Sequence, residues 1–331
     1  KAILTMKKNR ILTFSESINE ALDQAMQIDK NVFIFGQGVD KTALVFKTTQ
    51  GLKEKHGSKR IFDTPNAEMG ETALAAGAAN AGLRPILIHH RVDFMAYTFD
   101  QLVNWISLWT FKSSKKNKGG MPIVIRGIIG KGWGQGPQHA KTLHSMFAYL
   151  PGLRVVIPSS PSEAKGLLLS SIFSNDPVIF LEYRSIYNTR EYVPSKPYFI
   201  DFNSPRIRYK GNKVTIVAIG SGVLNSIKAI EAMKAEGKVE LIDLREISNF
   251  KYDIIIKSLK KTKKLIVVED GWEKFSVASE IISRVVEMGI NLKKPPIKIC
   301  WPSSHVPMSS PLEKSFYPDE NNIIQAIKKI I

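Results

Sequence analysis

Residues 122–144 read PIVIRGIIGKGWGQGPQHAKTLH. The first eight, Pro122 to Ile129, form an apolar run without the in–out alternation of a half-exposed strand. A strand covered on both faces reads this way, and such strands belong to parallel sheets with helices on either side. Glycines 130, 132, 134 and 136 then leave the end of that strand. So little side-chain bulk lets the backbone approach a ligand, and Trp133 is expected to cover it. His139 and His144 close the stretch.

The same texture recurs along the chain. Candidate strands are Asn31–Phe35, Pro85–His89, Pro122–Arg126, Arg154–Ile157 and Pro177–Glu182, then Val214–Ile219, Val239–Asp243, Leu265–Glu269 and Ile297–Cys300. Longer helical patterns separate them. Thr13 with Glu16 three residues on makes a capping box, and Ile18, Ala21, Leu22, Ala25 and Met26 continue it as one apolar stripe. The expected fold is α/β, two three-layer α/β/α domains with mostly parallel sheets. Residues 11–187 form the first and 213–331 the second. The Pro-, Gly- and Asn-rich stretch 188–212 links them. Gly220 and Gly222 follow a strand as in a dinucleotide fingerprint, but Asn225 stands where the third glycine packs helix on strand, so an ordinary turn is expected.

Composition excludes several classes. The one cysteine, Cys300, rules out an internal disulfide and suits a reducing compartment, cytoplasmic or, in a eukaryote, the mitochondrial matrix. Met6 is read as the natural start, and no apolar secretory segment follows. The Ala/Gly-rich stretch 72–83 stops at Arg84, too short for a bilayer. The net charge of +17 comes from separate lysine clusters at 115–118, 260–264, 293–294 and 328–329, with no interleaved aromatics. Neither nucleic acid nor membrane is expected as a partner; solvated faces or an acidic partner subunit account for the charge.

Residues 60–82, RIFDTPNAEMGETALAAGAANAG, place Glu68 at the head of a helix whose alanines and glycines carry almost no bulk on any face. Such a helix can approach another backbone, or its own copy, very closely, and is expected to be buried. Glu68 is then either a helix-start charge or a carboxyl that exchanges a proton with a ligand. His139 and His144 are five apart, on different sides of a helix, and His89 and His90 are adjacent on a strand, so neither pair chelates one metal. That leaves acid/base or hydrogen-bonding roles.

FDTPNAEMG, AAGAANAGLRPI, DFMAYTFDQLVN, GQGPQHAKTL, YLPGLRVVIPSSPSEAKGLL and SSPLEKSFYP occur here in the order they hold in one family. From about residue 11 to the end the chain resembles the beta subunit of thiamine-diphosphate-dependent 2-oxo acid dehydrogenases of the pyruvate dehydrogenase type. The resemblance implies a pyrimidine-binding domain and a transketolase C-terminal-like domain. It gives Glu68 the bond to N1′ of the aminopyrimidine, by which the cofactor is helped to activate its own thiazolium carbon. Phe94 falls on the ring that stacks against the pyrimidine, and His139 on a histidine that assists acyl transfer. A structural potassium ion is implied at the main-chain carbonyls of Ile123, Ser171, Ile172 and Ser174, with Asp176.

No Gly-Asp-Gly segment for diphosphate and magnesium is present. An alpha subunit is therefore expected to supply them in an α2β2 heterotetramer, with a dihydrolipoyl acyltransferase as a possible further partner. In IFGQGVD, Gln37 stands where the family carries a glutamate of an acidic passage between active sites. Alternatives are the C-terminal half of a split transketolase, whose loop at the histidine differs, and a non-catalytic basic binding module, which would not need Glu68, Phe94 and His139 together.

Overall fold

The computed structural model describes residues 10–40, 44–113, 120–132 and 134–331. Trp133, Lys115, Lys116 and Lys118 lie outside the described residues. Contacts divide the chain into two compact units, one built from residues up to 129 with 146–201, the other from 130–145 with 202–331.

The first unit holds a six-stranded sheet. Its strands are β2 (Val32–Gly36), β3 (Ile61–Asp63), β4 (Arg84–His89), β5 (Val124–Ile129), β6 (Arg154–Val156) and β7 (Val178–Tyr183), in the order β3-β2-β4-β5-β7-β6. Every pairing is parallel, with Ile86 beside Val124 and Ile125 beside Ile179. All six residues of β5 and of β7 are buried, which is why their sequences do not alternate. At the centre of this apolar layer Arg126 of β5 meets Glu182 of β7 through two hydrogen bonds of 2.6 and 2.9 Å, and the Tyr187 hydroxyl donates to the same carboxylate at 2.6 Å. A buried pair of this kind is tolerable only because its donors and acceptors are matched.

Helix α1 (Phe14–Ile28) opens with the expected capping box: the Glu16 amide donates to Thr13 Oγ1 at 3.2 Å, and the Thr13 amide to Glu16 Oε2 at 2.7 Å. Its stripe Ile18, Ala21, Leu22, Ala25 and Met26 is buried. A small antiparallel pair joins β1 (Ile11–Thr13) to β8 (Arg190–Tyr192).

Helix α2 (Glu68–Asn80) departs from expectation. It buries one stripe, Glu71, Thr72, Ala75 and Ala79, while Met69, Gly70, Ala73, Leu74, Gly77 and Asn80 are exposed. Small side chains permit close approach, but that side of the helix is left exposed by the described residues.

The second unit has a five-stranded sheet in the order β13-β12-β10-β11-β9. Its members are β9 (Arg206–Tyr209), β10 (Gly211–Ala218), β11 (Gly237–Asp243), β12 (Leu265–Trp272) and β13 (Ile297–Trp301). Strands β10 to β13 are mutually parallel, and β9 runs antiparallel on β11. Val214, Ile216, Leu241, Ile266 and Val268 of the sheet pack with Ala229, Ile230, Ile323 and Ile327 of the helices in one buried cluster. All nine expected strands are present, with ends shifted by up to three residues; β8 and β9 fall within residues 188–212.

Candidate active site

In the first unit the chemically active side chains gather at the carboxyl ends of β3, β2 and β4, where open α/β sheets place ligands. Gly36 ends β2 with φ +136°, and a Cβ there would lie 2.2 Å from the Ile88 carbonyl. Only glycine lets β2 lie this close to β4, and the tight approach sets Gln37 at the strand end. From there Gln37 Nε2 donates to Glu68 Oε1 at 3.0 Å. Glu68 is half-buried and is the first residue of α2, where the positive end of the helix dipole favours its charge.

Behind it stand groups that sequence reasoning did not join to Glu68. Glu71 is buried; burial pushes its carboxyl above the usual range, against hydrogen bonds from Thr64, at 2.6 Å, and Gln37. His89, the last residue of β4, is fully buried, and burial holds its imidazole down at about 4. His89 Nδ1 lies 3.8 Å from Glu71 Oε2, and Thr72 Oγ1, which donates to the Glu68 carbonyl at 2.7 Å, lies 3.5 Å from His89 Nε2. Phe94 is half-buried in the 3-10 turn Val92–Thr98 that follows β4. A half-open carboxylate with an amide donor beside it, and a neutral imidazole and a buried carboxyl behind it, presents an oriented acceptor to a proton-bearing ligand.

The glycine-rich loop belongs to the second unit. Gly132, Gly134 and Gly136 have φ of +82°, +66° and +66°, values side chains rarely allow. The turn Gly136–His139 carries a half-buried His139. His144 is buried, its Nε2 2.6 Å from Glu269 Oε1 and its Nδ1 2.5 Å from Thr142 Oγ1.

Of the five residues matched to a potassium site, two give their carbonyls to a guanidinium. Arg84 Nη1 donates to the carbonyls of Ile172 and Ser174 at 3.0 and 2.9 Å, and Nη2 to Asn175 Oδ1 at 3.2 Å. The Ile123 carbonyl accepts from Val178 N at 2.9 Å, that of Ser171 from Ser174 N at 3.3 Å, and Asp176 pairs with Arg154 at 2.7 Å. A guanidinium already sits among the oxygens that a potassium ion would need.

The transketolase pyrimidine-binding domain matches residues 11–190 and the transketolase C-terminal domain residues 205–323. The pyruvate dehydrogenase E1 component subunit beta of Staphylococcus aureus (strain COL) is 35% identical over 322 residues, 97% of this chain and 98% of its own. The chain belongs to the pyruvate dehydrogenase E1 beta-subunit family. The same subunit of Staphylococcus epidermidis (strain ATCC 12228 / FDA PCI 1200) is 35% identical over 319 residues, 96% of this chain and 98% of its own. A solved chain described as a split gene transketolase, inactive beta4 tetramer, superposes with a TM-score of 0.79 over 96% of this chain and 98% of its own. At 16% identity that likeness shows the fold alone.

Within this E1 beta-family chain, motif carried Glu68, Phe94 and His139 into view. Glu71, Glu269, Asp270 and Glu313 escaped it: each is buried, yet an acidic residue beside a helix start or a strand end looks in sequence like any solvated charge. No helix among the described residues is long and apolar enough to cross a membrane.

Proposed function

We propose that this chain is the beta subunit of a thiamine-diphosphate-dependent 2-oxo acid dehydrogenase, with pyruvate the substrate favoured by its relatives. On this reading it works in an α2β2 heterotetramer, decarboxylates the oxo acid and passes the acyl group to the lipoyl group of a dihydrolipoyl acyltransferase. The observation that carries the proposal is Glu68, half-buried at the head of α2, with the Gln37 amide 3.0 Å away.

The cofactor, when bound, supplies a carbon that bears negative charge after carbon dioxide leaves. Glu68 would hold the aminopyrimidine of that cofactor through N1′ and keep a proton there. Gln37, as an amide donor, fixes the orientation of the Glu68 carboxylate. Phe94 gives the pyrimidine an apolar face. His139 moves a proton during acyl transfer. Diphosphate and magnesium fall to the alpha subunit, since this chain has no Gly-Asp-Gly segment.

Glu68→Gln in the reconstituted tetramer tests the central role. Hydrogen–deuterium exchange at the thiazolium C2 of bound cofactor should slow by about 10²–10⁴, the usual scale for removing an acid/base group, while assembly is retained. Exchange at the wild-type rate would leave Glu68 as nothing more than a helix-start charge. A panel of 2-oxo acids with an artificial electron acceptor then identifies the substrate.

A further inference from the structure

Two segments of the second unit converge on the glycine-rich loop, and each presents a buried carboxylate to it. Glu313 lies in helix α7 (Ser310–Phe316; α3 is Pro161–Phe173, α4 Ser221–Ala232, α5 Asp253–Thr262 and α6 Val277–Glu287) and is 3% exposed. Its Oε1 accepts from the amide of Gly132 at 2.9 Å and its Oε2 from the amide of Gly134 at 2.6 Å. The Tyr317 hydroxyl donates to Oε1 at 3.2 Å. Lys131 pairs with Asp270 at 2.8 and 2.9 Å and lies 4.9 Å over the Tyr317 ring. Asp270 also accepts from Trp301 Nε1 at 3.1 Å and from the Ser221 hydroxyl. At the other end His144 is held by Glu269, whose second oxygen caps the amide of Ala278 at 2.6 Å in the first turn of α6. Ala140 is packed against Trp301, Val306 and Phe316.

His139 thus lies in sequence between two sets of anchored residues, Lys131, Gly132 and Gly134 on one side and Ala140 and His144 on the other. Backbone amides of left-handed glycines form a concavity for an anion. In this chain the anion is a side chain of the same molecule, with both oxygens spent on loop backbone. A loop of glycines has the most conformational entropy to lose, so its geometry must be imposed from outside.

Resting on the reading of His139 as an acyl-transfer residue, we propose that Glu313 is a positioning residue for that step: its carboxylate fills the Gly132–Gly134 nest and fixes where His139 stands. Glu313→Gln keeps the shape but turns an NH2 group toward one of the two amides, leaving two donors opposed.

The test uses the complex reconstituted with the alpha subunit and two assays, decarboxylation with an artificial acceptor and acyl transfer to a lipoyl domain. Glu313→Gln should lower kcat/KM for the lipoyl domain by about 10- to 100-fold, the scale of a misplacement near 1 Å, and the artificial-acceptor rate by less than roughly threefold. Added to His139→Ala it should cause no further loss, because residues acting through one another are not additive. Equal loss in both assays, or full additivity with His139→Ala, overturns the proposal and marks Glu313 as merely structural. Intact acyl transfer in His139→Ala alone overturns the reading of His139 and this proposal with it, a result distinct from the other two. If Glu313→Gln does not assemble, Lys131→Met should give the same step-selective, non-additive loss, and additivity there counts equally against it.

Discussion

His89 carries a pH dependence in its burial. The fully buried ring titrates at about 4 rather than near its ordinary 6.5, because burial takes away the water that would solvate its charged form. Between those values the unfolded chain takes up a proton that the folded ring refuses. The stability given by the neutral ring is complete above pH 6.5 and falls as pH drops through that window, by about 3 kcal/mol in total. Glu71 works in the opposite sense: its raised carboxyl contributes most at low pH, and that contribution fades as pH rises through its folded value. Glu68, which favours the charged ring, is the other charge facing His89. We expect His89→Gln to flatten the loss of thermal midpoint between pH 6.5 and 4 relative to wild type. Identical slopes for the two proteins would show that the ring titrates freely. At this scale the sequence disclosed Glu68 but left its two readings open, because a helix-start charge and a proton-exchanging carboxyl look alike in sequence, and the Gln37 contact is visible only in the fold.

Among the elements, the strands were readable wherever both faces are covered, since burial on both sides writes an unbroken apolar run. The expected set omitted β1, β3 and β8, each three residues long, and β9, four residues with two of them exposed. These are too short for either periodicity to register. Helix α2 was placed by sequence and its burial overstated, for small residues mark a surface that can be closely approached, whether or not the same chain does so. The carboxyl end of α3 supplies the element-scale prediction. Arg84 satisfies the carbonyls of Ile172 and Ser174 with a fixed internal charge. The thermal midpoint of the wild-type protein should therefore be the same in potassium and sodium chloride of equal ionic strength. Arg84→Ala should lower it, with potassium restoring more than sodium. A wild-type midpoint that rises with potassium alone would return the cation to this site.

For the molecule as a whole, the net charge of +17 is less scattered than its sequence suggested. Lys293 N bonds the Lys263 carbonyl at 2.8 Å, Lys294 Nζ reaches the Lys329 carbonyl at 3.1 Å, and Lys213, Lys293 and Lys294 all repel Lys264. Clusters separate in sequence thus share one surface of the second unit, because the start of β12 and the end of helix α8 (Glu320–Ile330) lie side by side. The family was legible from ordered motifs, and the expectation of a half-site rests on a missing one. Calorimetric titration of the isolated chain with thiamine diphosphate and magnesium should accordingly show no saturable binding below millimolar concentration. Tight binding by the lone chain would mean that a diphosphate site exists without the Gly-Asp-Gly segment.

The loop's anchors also impose an order in time. Gly132 and Gly134 leave the ribosome long before Glu269, Asp270 and Glu313, the last of them 179 residues beyond Gly134 (313 − 134). At about 5–20 residues per second, on the order of ten to thirty-five seconds pass with the nest synthesised and its carboxylate not yet made. A nascent chain in that interval can have the first sheet paired and His139 translated, while the loop that carries the histidine is still without its partners. Completion of this part of the site is thereby tied to synthesis through residue 313, and a polypeptide released before that point would lack the carboxylate that sets the loop.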